Sequence, residues 1–461
     1  MIKVLWICMV LVLALPFGVR AQPLDGDALW SLQARPNARL GLAFPGADPQ
    51  FYPLMSQAGL GVVRVTANWG RISPQRGQWN FSGLDRRVRA LGDLGIDAFI
   101  TFESTADWAT QQGQPVKNAT PNDMAEWAQF VATVVERYDG DGQGDMPRLR
   151  RPVRYYQAAN EFMSPTNRSG GWAGTHAELL TYINTAHDAV KSADRRAVFV
   201  LGGIAAFNMD IALLDAGLAR FEVRQSWSAR SQTVFDPRDL DNPVIRDLIE
   251  NRFKQIITRA RYDMADVHLY GPESRDGARL AYMRQLSRRP VLSSECGGPS
   301  LDYGGQYSGQ AHYAAVLERN LETLAAGASF CLWFGLGEGI TATYGNRRVQ
   351  LYDRQEREKP GVHAYRLLAR LIDDRTEVTR LGADAFVLRT GSDRVCIATH
   401  GRGHGALALA CGADAPALCV TNAQDQRTSA GDLRNLPQFC PEDGVVIAGS
   451  GLSQRLAVLD E

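Results

Sequence analysis

Histidine and cysteine are scarce in this chain, seven of each among 461 residues. No two cysteines stand at C-x-x-C spacing and histidines are sparse around them, which argues against a metal centre built on thiolate and imidazole. A surplus of either charge is missing as well, since Lys+Arg and Asp+Glu each total 50. A formally neutral chain has no electrostatic footprint for nucleic acid or an anionic membrane, so an uncharged or mixed-charge substrate is the natural inference. Beyond the N-terminus no apolar run is long and charge-free enough to cross a bilayer. Internal repeats and low-complexity linkers are lacking too. No glycine-rich phosphate turn follows the first apolar strand, where Phe44-Pro45-Gly46-Ala47 stands instead. No cofactor and no metal are therefore expected.

What is present begins with a targeting signal. Lys3 precedes the apolar stretch Val4 to Leu15, which is short for a span and is broken by Pro16 and Gly18. Val19-Arg20-Ala21 places small residues ahead of a cut before Gln22. Residues 1–21 read as a cleaved signal peptide, with an uncleaved anchor as the alternative. The mature protein is expected to be a periplasmic or secreted monomer with no membrane attachment. Cleavage removes Cys8 and leaves six cysteines, an even number that permits disulfides in an oxidising compartment. Cys396, Cys411, Cys419 and Cys440 crowd the C-terminal part, where a small domain gains most from a staple. Cys296 and Cys331 fall on adjacent predicted strands and fit either a bond or two buried thiols.

From Arg39 onward, short apolar strands alternate with helical segments, the pattern of a parallel sheet with crossover helices. The strands are predicted at Arg39–Phe44, Gly61–Val65, Asp97–Phe102, Tyr155–Asn160, Ala197–Gly202, Ala265–His268, Pro290–Glu295 and Ser329–Trp333. Eight alternations predict a (β/α)8 TIM barrel over residues 22–374. The stretch from Phe207 to about Arg261 exceeds one crossover and predicts two helices with an excursion at the rim. Residues 375–461 read as a small C-terminal all-β, sandwich-like domain, with strands at Ala385–Arg389, Arg394–Ala398, Ala406–Cys411, Ala417–Thr421, Val445–Ala448 and Arg455–Leu459.

Two barrel strands end on a carboxylate: the fourth runs into Asn160-Glu161 and the seventh into Glu295. Active sites of such barrels sit at the carboxyl ends of the strands, so both acids should face one rim. Two carboxyl groups roughly 5–5.5 Å apart can cleave a glycosidic bond, one attacking the anomeric carbon and the other protonating the leaving oxygen. Repulsion between such partners raises the pKa of one and keeps its acid form available. Singly, each glutamate also reads as an ordinary surface residue at a strand end.

With these residues the chain resembles the clan A glycoside hydrolases, and the resemblance spans about Arg39 to Leu371. It implies Glu161 as acid/base and Glu295 as nucleophile of a retaining mechanism on a β-linked oligo- or polysaccharide. Arg64, in Val63-Arg64-Val65, would steady the nucleophile, and His268-Leu269-Tyr270 would bring a phenol to it. Asn160 would hold the sugar 2-hydroxyl, and Trp333 would lie under the reacting sugar. The exported barrel with a trailing β module resembles family 39 and related family 5 types, including glycosidases of bacterial exopolysaccharides. On physical grounds a guanidinium keeps a nucleophilic carboxylate ionised, and an indole offers an apolar plane to a pyranose. Each has a plainer reading: Arg64 as an interior ion pair, Trp333 and His268 as core. Trp69 and Trp108, after strands two and three, fit sugar subsites or packing equally.

Glu103, Asp107 and Glu338 are further rim carboxylates. The segment Tyr138 to Pro147 alternates acids in a way that suggests calcium, but Arg150 occupies the position of the bidentate glutamate, so a polar turn is expected. Two rivals use the same residues differently: a carbohydrate-binding barrel without catalysis, and a transglycosylase whose sugar acceptor outcompetes water.

Overall fold

Strand-forming runs buried on both faces build the centre of the molecule. The computed structural model describes residues 24–228, 231–297, 309–338, 340, 349–400 and 404–457, and the expected signal segment lies outside them. Eight parallel strands are β1 (Asn37–Leu42), β2 (Leu60–Asn68), β3 (Asp97–Glu103), β4 (Tyr155–Ala158), β5 (Val198–Leu201), β6 (Ala265–Asp266), β7 (Val291–Cys296) and β8 (Cys331–Trp333). Their order is β5-β4-β3-β2-β1-β8-β7-β6, and the parallel bridges Val200 to Met264 and Ile204 to Val267 join the two ends into a barrel. The rim excursion is a helix, Ala206–Asp215, a hairpin of Val223–Ser228 with Ser231–Phe235, and a further run of helical turns to Arg259.

Two-residue periodicity sorts the side chains between lumen and helices. Val62, Phe99, Val200, Leu292, Phe330 and Leu332 pack together as the apolar floor of the lumen. The alternate residues Val63, Val65, Ala98 and Ile100 face the surrounding helices and join the main core. Those helices are amphipathic: Ser82–Asp93 buries Leu84, Val88 and Leu91, and Met124–Glu136 buries Trp127, Phe130, Val131, Val134 and Val135. Helix His176–Ala193 starts on a capping box made by Thr175 and Glu178.

One floor higher the lumen turns polar. Arg64 Nε donates to Thr101 Oγ1 (2.6 Å), Thr101 to Gln157 Oε1 (3.0 Å), and Gln157 Nε2 to Asp266 Oδ2 (2.5 Å). Ser294 completes the chain through its own N and Oγ to Asp266, at 2.8 and 2.5 Å. Satisfied buried networks of this kind hold their members in one arrangement.

The C-terminal module differs in architecture from the expected sandwich. Strands β9 (Glu377–Arg380), β10 (Ala385–Thr390), β11 (Asp393–Ala398), β12 (Pro416–Asn422), β13 (Arg427–Asp432) and β14 (Val445–Ala448) make one antiparallel sheet, order β9-β10-β11-β14-β12-β13. Its second layer is helical. Ala406 to Cys411, read as a strand, lies in helix His404–Cys411, and the first part of Arg455–Leu459 lies in helix Leu452–Leu456. Val387, Cys396, Ala417 and Val446 pack on one face with Leu407, whereas Phe386, Ile397, Leu418 and Ile447 join the barrel core. Disulfides Cys396–Cys411 and Cys419–Cys440 tie the module, while Cys296 and Cys331 are free and buried.

Where the module meets the barrel, Glu322 of helix Gly309–Ala325 lies 3.2 Å from Arg380 Nε. Burial raises its pKa from 4.5 to about 8, and Arg380 opposes the rise incompletely. A carboxyl raised in the folded state favours folding below its unfolded value, and that advantage is lost as pH climbs through 8. Glu322→Gln should therefore raise the melting temperature above pH 8 and leave it nearly unchanged in acid, as read by thermal denaturation across pH. An equal shift at both ends of the range would contradict this account.

Candidate active site

Both strand-end glutamates reach the same rim, and irregular backbone delivers each of them. Opposite β8, Cys331 pairs with Ser293 but Trp333 pairs with Cys296, so β7 carries one residue more than its neighbour. That bulge changes the facing of the strand: Ser294 bonds Asp266 inside the lumen, yet Glu295 directly after it also points into the site. Past β4, Ala159 and Glu161 both adopt positive φ, 69° and 48°, on either side of Asn160. Such conformations are unfavourable for non-glycine residues and persist only where the surroundings enforce them. Gly202-Gly203 after β5 gives them room, because a Cβ on Gly202 would stand 2.0 Å from Ala159 O and one on Gly203 2.1 Å from His268 Nε2.

Three partners meet at Glu295. Arg64 Nη1 donates to Oε1, Tyr270 Oη donates to Oε2 at 2.5 Å, and His268 Nδ1 lies 3.5 Å from Oε2. Arg64 also donates through Nη2 to Asn160 Oδ1 at 2.6 Å, linking the two strand ends. Burial alone would raise the Glu295 pKa, but His268 and Arg64, with the Tyr270 hydrogen bond, hold it below the ordinary carboxylate range. Tyr270, buried against that carboxylate, is pushed well above the usual phenol value and remains a donor. His268 is fully buried, which opposes its charged form, yet Glu295, Glu161 and Asp266 bring its pKa up to about 8. Its Nδ1 stands between the two glutamates, 2.9 Å from Glu161 Oε1 and 3.5 Å from Glu295 Oε2.

Glu161 receives His268 Nδ1 at 2.9 Å on Oε1 and Asn167 Nδ2 at 2.5 Å on Oε2. One oxygen of Glu161, one of Glu295 and a His268 nitrogen all lie within 4.8 Å of one another. By distance these three are a group that could hold a metal ion. Asp139, Asp141 and Asp145 form the other such group among the described residues; their oxygens accept backbone N–H groups of Gly140, Asp141, Gly142 and Gln143 within the turn.

A cavity of about 310 Å³ opens at Glu295, walled by Phe44, Arg64, Glu103, Asn160, Glu295 and Ile340 among others, and Glu161 is not part of its wall. The three tryptophans are not part of that wall. Trp333 is fully buried: Leu332 belongs to the lumen floor, so strand alternation turns Trp333 outward to Tyr365 and His312, with Nε1 donating to Val349 O at 2.7 Å. Trp69 is buried at the start of helix Trp69–Ile72 against Trp127 and Phe130. Trp108 packs edge-on against Trp69 and donates to Ser73 O at 2.8 Å. Trp333 and Trp69 are core packing, which corrects the reading of Trp333 as the sugar platform and decides Trp69 for packing, while Trp108 is half-buried against that core. The aromatic side chain at the cavity is Phe44, its ring centroid 4.3 Å from that of Phe334 and tilted 50° to it, and Phe334 sits beside Tyr270. Among the other rim acids, Glu103 pairs with Lys117 and Glu338 with Lys359, while Asp107 is exposed. Asn167 was not legible beforehand, since it lies on a loop with no pattern of its own.

The barrel is a fold shared with solved glycoside hydrolases. A family 39 β-xylosidase from Caulobacter crescentus superposes with a TM-score of 0.59 at 13% identity, covering 90% of this chain and 97% of that one. A family 39 glycoside hydrolase from Bacteroides cellulosilyticus WH2 gives 0.57 at 14% identity, covering 92% and 82%. In sequence, the chain is 26% identical over 164 residues to the β-galactosidase Bga of Halorubrum lacusprofundi, a match covering 31% of this chain and only 21% of that protein. No family model matches the chain.

Proposed function

We propose that this chain is an exported retaining glycoside hydrolase acting on a β-linked oligo- or polysaccharide. Glu295 attacks the anomeric carbon and Glu161 protonates the departing oxygen; Glu161 then deprotonates water, which releases the sugar from Glu295. Arg64, His268 and Tyr270 orient Glu295 and keep it ionised. Asn160, held by Arg64, stands where a sugar hydroxyl would be read. The supporting observation is the approach of the Glu161 and Glu295 oxygens within 4.8 Å. That spacing agrees with the roughly 5–5.5 Å of retaining pairs and leaves no room for the attacking water of inverting ones, which stand roughly 6.5–9.5 Å apart. The β-xylosidase and β-galactosidase named above accord with a β-linked substrate.

The test is covalent trapping. A 2-deoxy-2-fluoro β-glycoside with an activated leaving group should add one sugar mass to the peptide carrying Glu295, and NMR should show the β anomer as first product. Label on another residue, or the α anomer first, would overturn the assignment. The mass of products formed with added sugar acceptors separates hydrolysis from transglycosylation.

A further inference from the structure

Charge balances over the whole chain, but it does not balance beside the catalytic cavity. A second chamber of about 540 Å³ adjoins the first and shares Ala47, Thr66, Arg87, Glu103 and Lys117 with it as a common wall. Its walls carry four cations, Arg71, Arg86, Arg87 and Lys117, against one carboxylate, Glu103. Lys117 takes that carboxylate at 2.9 Å. Among the described residues, Arg71, Arg86 and Arg87 have no carboxylate within 4.0 Å.

Arg87 is the anchor of the group. Its Nη2 donates to Thr66 O at 2.9 Å and its Nε to Gly83 O at 3.4 Å, which holds the guanidinium at the mouth between the two chambers. Burial lowers its pKa and Arg71 pushes in the same direction, while Tyr52, Tyr138 and Glu103 oppose the fall incompletely. A half-dry cation facing another cation is an unfavourable arrangement until an anion joins it. The N-terminus of helix Ser82–Asp93 borders the chamber through Ser82 and Gly83, with Asn80 Oδ1 accepting the Ser82 N–H at 3.2 Å. Space above Gly83 is open, for a Cβ built there meets nothing within 4 Å.

We infer that this chamber is a subsite for an acidic sugar, so that the substrate is an anionic glycan carrying a carboxylate on the unit next to the one cleaved. Planar guanidinium groups pair with carboxylates in a bidentate fork, and the chamber lies within the usual volume range of ligand pockets, roughly 300–1,000 Å³. The inference rests on the proposed hydrolase function, names its substrate class, and replaces the uncharged or mixed-charge substrate expected from composition.

The experiment measures binding without turnover. Full-length Glu295→Gln protein is titrated by calorimetry with short oligosaccharides from a panel of uronic-acid polysaccharides, each beside its carboxyl-reduced counterpart, and with sulfated neutral oligosaccharides. At least one acidic oligosaccharide should bind about tenfold or more tighter than its reduced form, the scale of a charge-assisted hydrogen bond, and added NaCl should erode the difference. Arg71→Ser, Arg86→Ser and Arg87→Gln should each shrink that preference, whereas Arg220→Gln, far along the chain and outside both chambers, should not. Arg71 and Arg86 are exposed, so their variants test the site even where Arg87→Gln folds poorly. Equal binding of acidic and reduced forms across the panel, preference unaltered by the arginine variants, or tighter binding of the sulfated sugars would each overturn the inference. Because hydrolysis is not required, failure of the trapping experiment and failure of this one are read separately.

Discussion

Glu295→Ala should abolish turnover, with a loss on the order of 10⁵-fold in kcat, the scale seen when a covalent nucleophile is removed. Alanine leaves no group that can form the glycosyl ester. It also strands Arg64, whose Nη1 is directed at Glu295. Part of the effect on the alanine variant will therefore be lost stability, and Glu295→Gln, which keeps volume and an acceptor for Tyr270, isolates the chemistry. Glu161→Gln should behave differently. General-acid assistance contributes about 10²–10⁴-fold, so alkyl glycosides with poor leaving groups should lose that much. Dinitrophenyl glycosides, whose leaving group needs no proton, should still form the intermediate rapidly and show a burst before slow deglycosylation. Steady-state and pre-steady-state rates across a series of leaving groups check both variants. Equal losses on good and poor leaving groups would remove Glu161 from the acid role.

The Arg64→Met variant should lose about 10²–10³-fold in kcat/KM, comparable to deleting one preorganised donor from a catalytic site. Its guanidinium has three separate partners, Glu295, Asn160 and Thr101, so the loss reaches orientation as well as charge. Charge is the part that pH reads. Burial works to raise the Glu295 pKa, while His268 and Arg64 depress it below the ordinary range. A depressed carboxylate pKa means the ionised form survives into acid and is lost only as pH falls through the folded value. Without Arg64 the pKa climbs, so the acid limb of kcat/KM should move to higher pH. A uniformly lowered profile with an unmoved acid limb would make Arg64 a purely steric support.

Much of this site was legible in one dimension because barrel enzymes put chemistry at strand ends. Short apolar runs located β4 and β7, and the carboxylates ending them marked Glu161 and Glu295. Arg64, His268 and Tyr270 were legible through the resemblance to clan A glycoside hydrolases, which implied partners for Glu295. Trp333, placed by the same resemblance, lies elsewhere: Leu332 faces the lumen, and period-two alternation sends Trp333 to the opposite face. The sandwich failed because Ala406 to Cys411 is apolar on every side, a composition that suits a buried helix as well as a strand.

The linear order of residues determined the eightfold alternation of strand and helix, the stapled module behind it, and which acids stand at strand ends. Hydrophobic period and turn chemistry are local, and neighbouring residues suffice to express them. Only the folded chain decided which way those acids face, through a bulge in β7, two left-handed residues around Asn160, and the glycines after β5 that admit them. It alone collected Arg71, Arg86 and Arg87 beside Glu103 and Lys117, giving a neutral polypeptide a positively charged chamber. Electrostatic potential depends on distance through space, and a count along the chain carries no distances.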